Sequence, residues 1–328
     1  MSDRVVSVSV DLDPVECYWR IHAMPGAPPE RARHAILRRC LPRFAELFAR
    51  HGVRATFFVV ARDLDEDAEG RALLAALARD GHELASHTYS HPYDLVRLPS
   101  QAIAAEIDRA HALIGACGGA APHGFRAPGY TVSSELIDML RARRYRYDSS
   151  AFPSLAYYGA KALVMGAMRL VGRKSGSILD TPRVLAAPRA PYRPAPGAPY
   201  RAAPGKPSDA EGRASDAGAR DLVELPMAVT PLARLPVFGT SLVTAPGWMR
   251  RHLIAVALRA PFFNLELHGI DLADADADEI PPALVARQPD LRRPLAHKLA
   301  ALDETLTAAR AAGARFARLD EVASKFTA

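Results

Sequence analysis

Apolar and polar positions alternate through Val5-Val6-Ser7-Val8-Ser9-Val10 and then give way to Asp11-Leu12-Asp13-Pro14. A period of two predicts a strand. Successive side chains of a strand point to opposite faces, so Asp11 and Asp13 emerge on one side just where Pro14 ends it. The period then changes to that of a helix over about residues 32 to 51, with Ile36, Leu37, Cys40, Leu41, Phe44, Leu47 and Phe48 on one face and His51-Gly52 as the stop. Arg54 to Val60 reads as a buried strand, Ala68 to Asp80 as a helix stopped by Gly81, and Glu83 to Ser86 as a short strand. Helices over Gln101 to Ala116 and Ser134 to Arg143 follow, the second capped by Ser133 or Ser134, and Phe262 to Leu267 is a further strand. Strands and helices thus alternate, as in parallel α/β folds, whose sites lie at the carboxyl ends of the strands.

Two segments break this rhythm. Residues 187–219 are rich in Ala, Pro, Gly and Arg without hydrophobic periodicity, which predicts a flexible insertion rather than a domain. Leu155 to Val171 places Tyr157, Tyr158, Leu163, Val164, Met165 and Met168 beside Lys161 and Arg169. It is too short to span a bilayer. Three readings fit it: a helix packed over the fold, a peripheral membrane contact, or the apolar mouth of a site for a lipid-linked substrate.

The chemistry begins with His87-Thr88-Tyr89-Ser90-His91-Pro92. Two imidazoles four positions apart, on a helical turn or a bend that imitates one, can converge on one cation. The Asp11/Asp13 pair supplies a carboxylate at another strand end, and two carboxylates with two imidazoles suggest a mononuclear metal hydrolase.

Composition fits an enzyme of one large domain: 328 residues, 49% hydrophobic and 24% charged. The net charge of +6 would favour anionic partners, but no basic block interleaved with aromatics appears, which argues against nucleic acid. No protein partner is implied. Cys17, Cys40 and Cys117 are odd in number and lack Cys-x-x-Cys spacing, which suits a reducing compartment. The start, Met-Ser-Asp-Arg followed by a core strand, leaves no room for a signal peptide, so the expectation is a cytoplasmic protein.

Further segments complete a pattern: Gly81-His82-Glu83 before the histidine motif, then Gly124-Phe125-Arg126-Ala127-Pro128-Gly129-Tyr130, Tyr147-Asp148-Ser149-Ser150, and Leu265-Glu266-Leu267-His268. In this order they resemble the polysaccharide deacetylases of carbohydrate esterase family 4, over nearly the whole chain from Val5 to about Val322 apart from the insertion. The resemblance implies a distorted (β/α)7 barrel and one divalent ion, zinc first, with cobalt, nickel or manganese as alternatives. It implies removal of an N-acyl group, acetyl or formyl, from an amino sugar. The Asp-x-Asp spacing looks like the variant of peptidoglycan-type and intracellular members, and of the deformylase acting on lipid-linked formamido-arabinose. An N-acylated amino sugar or glycolipid is therefore the expected substrate.

By the same resemblance Asp13, His87 and His91 hold the metal and Asp11 is the general base, with exchange of the two aspartates left open. Arg126 is expected to grip the base carboxylate through both oxygens. His268 is expected to protonate the leaving amine, Asp148 to orient or tune His268, and Leu267 to shape the pocket for the acyl methyl. An inserted Gly129 leaves open whether its amide or that of Tyr130 meets the oxyanion, and Tyr130 could instead stack on a sugar ring. Phe152 stands where the family has part of an aromatic wall. A non-catalytic sugar-binding protein, or a hydrolase of cyclic or other non-sugar amides on the same scaffold, is the alternative; the intact base, acid and His-x-x-x-His set count against both.

Overall fold

The computed structural model describes residues 4–204 and 222–327. Ten strands form: β1 Val5–Asp11, β2 Thr56–Val59, β3 Glu83–Ser86, β4 Gly124–Phe125, β5 Tyr147–Asp148, β6 Pro194–Ala195, β7 Ala198–Ala202, β8 Val223–Glu224, β9 Phe262–His268 and β10 Arg315–Phe316. Seven of them make a curled parallel sheet in the order β9-β1-β2-β3-β4-β5-β8. β10 adds to the lower end of β1, at Val5 and Val6, while β2 pairs with its upper end from Ser9 to Asp11. The seam between β8 and β9 has no strand pairing among the described residues. It is bridged by Ala228 N–H donating to the Asn264 carbonyl and by the Asn264 side-chain amide donating to the Leu225 carbonyl. This is the distorted seven-stranded barrel that the motifs imply.

The alternation in β1 and β9 decides what faces where. Val6, Val8 and Val10, with Phe263, Leu265 and Leu267, pack outward in one apolar cluster with Ile36, Phe44, Leu47 and Leu302 of the surrounding helices. Ser9, Asp11, Asn264 and Glu266 are equally buried but face the barrel interior, where Arg126 donates to Ser9 Oγ and Asn264 donates to Ser149 Oγ. Buried polar groups are tolerated where they find partners, so those left without one, among them Asp11 Oδ2 and Glu266 Oε2, mark where the interior turns to other work.

Most predicted helices form close to their expected bounds, including Ala68–Arg79, Ser100–Gly118 and Ser134–Ala142, the last capped by Ser133 Oγ accepting from Leu136 N–H. The helix over 32 to 51 contains a π turn at Ile36–Cys40 before Leu41–Arg50.

One expectation changes. Within the insertion, β6 and β7 form a hairpin rather than an unstructured loop. Tyr192 pairs with Glu224 as an antiparallel bridge, and the Tyr200 hydroxyl meets Asp180 and the Val132 N–H. Two aromatic anchors hold a segment whose other residues carry no pattern. The remainder of the insertion, residues 205–219, lies outside the described residues. The segment after Ser154 is a helix, Leu155–Leu170, that packs on the fold through Tyr157 and Tyr158 and leaves its outer flank in solvent, with Leu155, Leu163 and Leu170 63%, 77% and 90% exposed. Among the described residues no helix is long and apolar enough to cross a membrane.

Candidate metal centre and active site

The histidine motif is not helical. After β3 the chain bends through left-handed residues at Thr88 (φ 66°) and His91 (φ 56°), a conformation costing on the order of 1–2 kcal/mol per non-glycine residue. Neighbouring groups hold the bend: His91 N–H donates to Thr88 Oγ1, and Ser90 donates through both N–H and hydroxyl to Glu106 on the helix Ser100–Gly118. The i, i+4 convergence is thus achieved by a strained turn.

Both rings meet Asp13. His87 Nε2 lies 3.2 Å and His91 Nε2 3.1 Å from Asp13 Oδ1, whereas Asp11 Oδ2 is 3.8 Å from His87 alone. The Arg126 carbonyl, 2.7 Å from His87 Nδ1, can only accept, so Nδ1 carries the proton and Nε2 presents its lone pair to the carboxylate. Asp13 Oδ1, Asp11 Oδ2 and His91 Nε2 are buried without a hydrogen-bond partner. Buried lone pairs converging in this way fit a cation, and two imidazoles with one carboxylate suit zinc or a similar ion. Burial alone would raise the Asp13 carboxyl, but His91 and His87 outweigh it and hold it well below the usual range.

Asp11 sits between this cluster and Arg126. Burial pushes its carboxyl up and Arg126 pulls it back, leaving it raised above the usual value. The expected two-oxygen grip is not made. Arg126 is fully buried and divides its donors: Nη1 to Asp11 Oδ1, Nε to the Ser149 carbonyl, and Nη2 to the hydroxyls of Ser9 and Ser149, with its Cζ 4.0 Å from the Phe58 ring centroid. One Asp11 oxygen is therefore fixed, and the other remains free toward His87.

Asp148 does not reach His268. It accepts from Ser150 Oγ at 2.6 Å and pairs in register with Glu224. The carboxylate beside His268 belongs to Glu266, 2.9 Å from Nδ1 as an ion pair rather than an aligned hydrogen bond. Burial would lower the His268 imidazolium, but Glu266 outweighs it and raises its pKa well above the ordinary histidine value. The Tyr130 hydroxyl stands 3.0 Å from His268 Nε2 and 3.3 Å from Glu266 Oε1. Glu266 was readable in the sequence, since Asn264, Glu266 and His268 are the alternate, polar positions of an otherwise apolar strand.

The same alternation corrects Leu267. It faces outward, in contact range of a Cβ at Gly239, and cannot touch a substrate at His268. Phe152 lies behind the site, packed on Tyr130, Tyr157 and Phe238 with centroids 4.9–5.6 Å apart. Gly129 and Tyr130 both adopt φ near 64°. Tyr130 N–H is engaged by the Ala127 carbonyl, which leaves the amide of Gly129, also at the cavity wall, as the better candidate to meet an oxyanion.

Asp11, Asp13, His87, Gly129, Tyr130 and His268 all border one cavity of about 290 Å³. Its wall also includes Tyr18 and Tyr93, not foreseen from sequence, and the inner flank of the helix Leu155–Leu170 with Tyr157, Lys161 and Met165, in the place that the reading of this segment as a mouth of the site expects.

Comparison with known proteins agrees with this geometry. The family model for polysaccharide deacetylase matches residues 32–147. A chitin deacetylase of Arthroderma benhamiae is 31% identical over 101 residues, which are 30% of this chain and 27% of that protein. A chitooligosaccharide deacetylase of Bradyrhizobium is 34% identical over 90 residues, 27% of this chain and 39% of the relative. The matched region thus spans about a third of the length of the curated relatives. In fold, the chain resembles crystal structures of proteins assigned to the polysaccharide deacetylases from Mycobacterium smegmatis (TM-score 0.59, 16% identity, 99% of this chain and 90% of that one) and Pseudomonas aeruginosa (TM-score 0.58, 14% identity, 98% and 91%). The family model and the relatives thus match part of the chain, and the solved structures share its fold.

Proposed function

We propose that this chain is a metal-dependent deacetylase that removes an N-acyl group from an amino sugar. The observation that carries the reading is the meeting, around one cavity, of an Asp13/His87/His91 cluster with Asp11 on one side and His268 on the other. The named relatives, which deacetylate chitin and chitooligosaccharides, support an N-acetylated sugar as the substrate class.

Asp13, His87 and His91 would hold the ion, which when bound supplies a more acidic water and polarises the acyl carbonyl. The protein does the rest. Asp11, with one oxygen held by Arg126 and the other free, accepts the proton of the attacking water. The Gly129 amide donates to the developing oxyanion. His268, kept protonated by Glu266, delivers a proton to the departing amine, with the Tyr130 hydroxyl at its Nε2 in the path. Asp11 and His268 thus have separate proton tasks set by opposite neighbours, Arg126 for one and Glu266 for the other.

A lipid-linked substrate, acetylated or formylated, is the finer form of the proposal. Its support is the exposed apolar flank of the helix Leu155–Leu170, which walls the cavity on its inner side. With three unpaired cysteines, this suggests action at the cytoplasmic face of a membrane.

The test is acetate release from an N-acetylglucosamine oligomer, measured beside the metal content of the purified chain. Turnover that tracks metal occupancy and disappears on chelation is expected. A metal-replete chain inert toward acetylated and formylated amino sugars alike would remove the reading.

A further inference from the structure

The catalytic cavity adjoins a second one, of about 450 Å³, and the two share Met165, Ser175 and Ser177 as a common wall. The second cavity is lined by Arg97, Arg169 and Lys174 against the single carboxylate of Asp94. None of these three cations makes an ion pair among the described residues. Cations left unpaired in a concave surface raise the local positive potential and favour an anionic ligand.

One helix face links the two cavities. Tyr157, Lys161, Met165 and Arg169 are spaced four residues apart and so form a single stripe. The stripe begins at the metal cavity, with Tyr157 and Lys161, and ends in the second cavity, with Arg169. From Lys161 to Arg169 the rise is about 12 Å at 1.5 Å per residue. Lys161 Nζ reaches the Gly129 carbonyl at 3.4 Å and no carboxylate. Burial lowers its pKa to about 8, so it remains mostly charged at neutral pH.

We propose that the second cavity is an anion subsite for a phosphate carried by the same substrate whose N-acyl group enters the metal cavity. The inference rests on the deacetylase reading for that second half. Arg97 and Arg169 offer planar donor forks that match phosphate oxygens, Lys174 adds a point charge, and Lys161 stands at the passage between the subsites. Such contacts orient the sugar, placing its amide toward Asp11 and the Asp13 cluster.

Calorimetric titration of the full chain with N-acetylglucosamine and with N-acetylglucosamine 1-phosphate tests this directly. The phosphate should tighten binding by about tenfold, equivalent to about 1.4 kcal/mol. The Arg169→Ala/Lys174→Ala double variant should bring that ratio close to one, and Arg169→Lys with Lys174→Arg should keep most of it. Because the readout is a ratio of two ligands on one protein, a general loss of affinity cancels. Equal binding of the two sugars, or a ratio that survives the double alanine change, overturns the subsite. A third ligand, the same phosphate esterified with a short prenyl chain in detergent, separates the sources: retention of the advantage indicates a lipid headgroup, and its loss a free sugar phosphate. Acetate release from the neutral sugar tests the deacetylase reading alone, so turnover without a phosphate preference leaves that reading standing and removes this one.

Discussion

Asp11 and His268 are register partners on adjacent parallel strands, at the carboxyl ends of β1 and β9. Partners in a parallel pair project to the same side, so the two groups proposed to transfer protons border the same cavity by virtue of the sheet register. A slip of one residue would turn one of them into the outer helix layer.

Asp13 and Asp11 should separate by assay. Asp13 Oδ1 is near both imidazoles and Asp11 Oδ2 near one, so His87→Ala, His91→Ala and Asp13→Asn should each lose most bound metal and nearly all turnover. Asp11→Asn should keep its metal and lose turnover by about a hundredfold or more. Elemental analysis beside initial rates decides, and loss of metal from Asp11→Asn with retention in Asp13→Asn would exchange their roles.

Glu266 should set the alkaline limb of the pH–rate profile. Its negative charge favours the His268 imidazolium, and an acid works only while protonated, so activity falls as pH rises through the His268 pKa. Glu266→Gln removes the charge, lowers that pKa and should move the limb to lower pH with metal content unchanged. His268→Ala should cost about a hundredfold on an amide and much less on an activated ester, whose leaving group needs no proton. Equal losses on both would make His268 structural.

The candidate metal cluster and the candidate proton-transfer residues are legible in the sequence because they are charged or imidazole side chains at or just beyond the ends of apolar strands. The errors have physical causes. The motif points to Leu267 and Asp148, whereas the alternation of the strand turns Leu267 outward once His268 faces in and sets Glu266, not Asp148, beside His268. Tyr192 and Tyr200 hold the hairpin at 194–202 through contacts to Glu224 and Asp180, remote partners that composition does not reveal. The bounds of β1, β3 and the helices Ala68–Arg79, Ser100–Gly118 and Ser134–Ala142 are readable because periodicity is local.

Arg126→Met should be among the most destabilising single changes. It leaves the buried Asp11 carboxylate without its cation and removes donors to Ser9 and Ser149, a loss of about 3–5 kcal/mol for a broken buried pair. Arg126→Lys should recover only part, because an ammonium cannot serve these separate acceptors at once. Urea unfolding measures both, and a loss under about 1 kcal/mol for the methionine variant would contradict the arrangement.

Glu83 should make stability fall with rising pH. Burial raises its carboxyl to about 8 from the model-peptide value of 4.5, although Thr56 and Tyr147 donate to it. A raised folded-state pKa contributes stability in full below the unfolded value and loses it as pH rises through the folded one. The window is therefore about pH 4.5 to 8. Glu83→Gln cannot ionise, so its stability relative to the parent should improve steadily across that window. A difference between the two that stays flat with pH would show that Glu83 titrates alike in both states.

Leu163 and Leu170 provide the sharpest test of the lipid-linked form of the substrate. At 77% and 90% exposure they cover nothing in the protein, whereas Val164 and Met165, beside Leu163, line the cavity. A lipid chain leaving the cavity would cross this flank and bury apolar surface at roughly 25 cal/mol per Å², lowering KM without altering the chemistry at Asp11 or His268. Leu163→Asp/Leu170→Asp should then raise KM several-fold for an N-acyl sugar carrying a prenyl phosphate in detergent. It should leave kcat on that substrate near the parent value, since neither side chain approaches the reacting atoms. If KM for the tailed sugar stays at the parent value, the exposed flank serves only to carry the residues that wall the cavity, and the substrate is a soluble sugar.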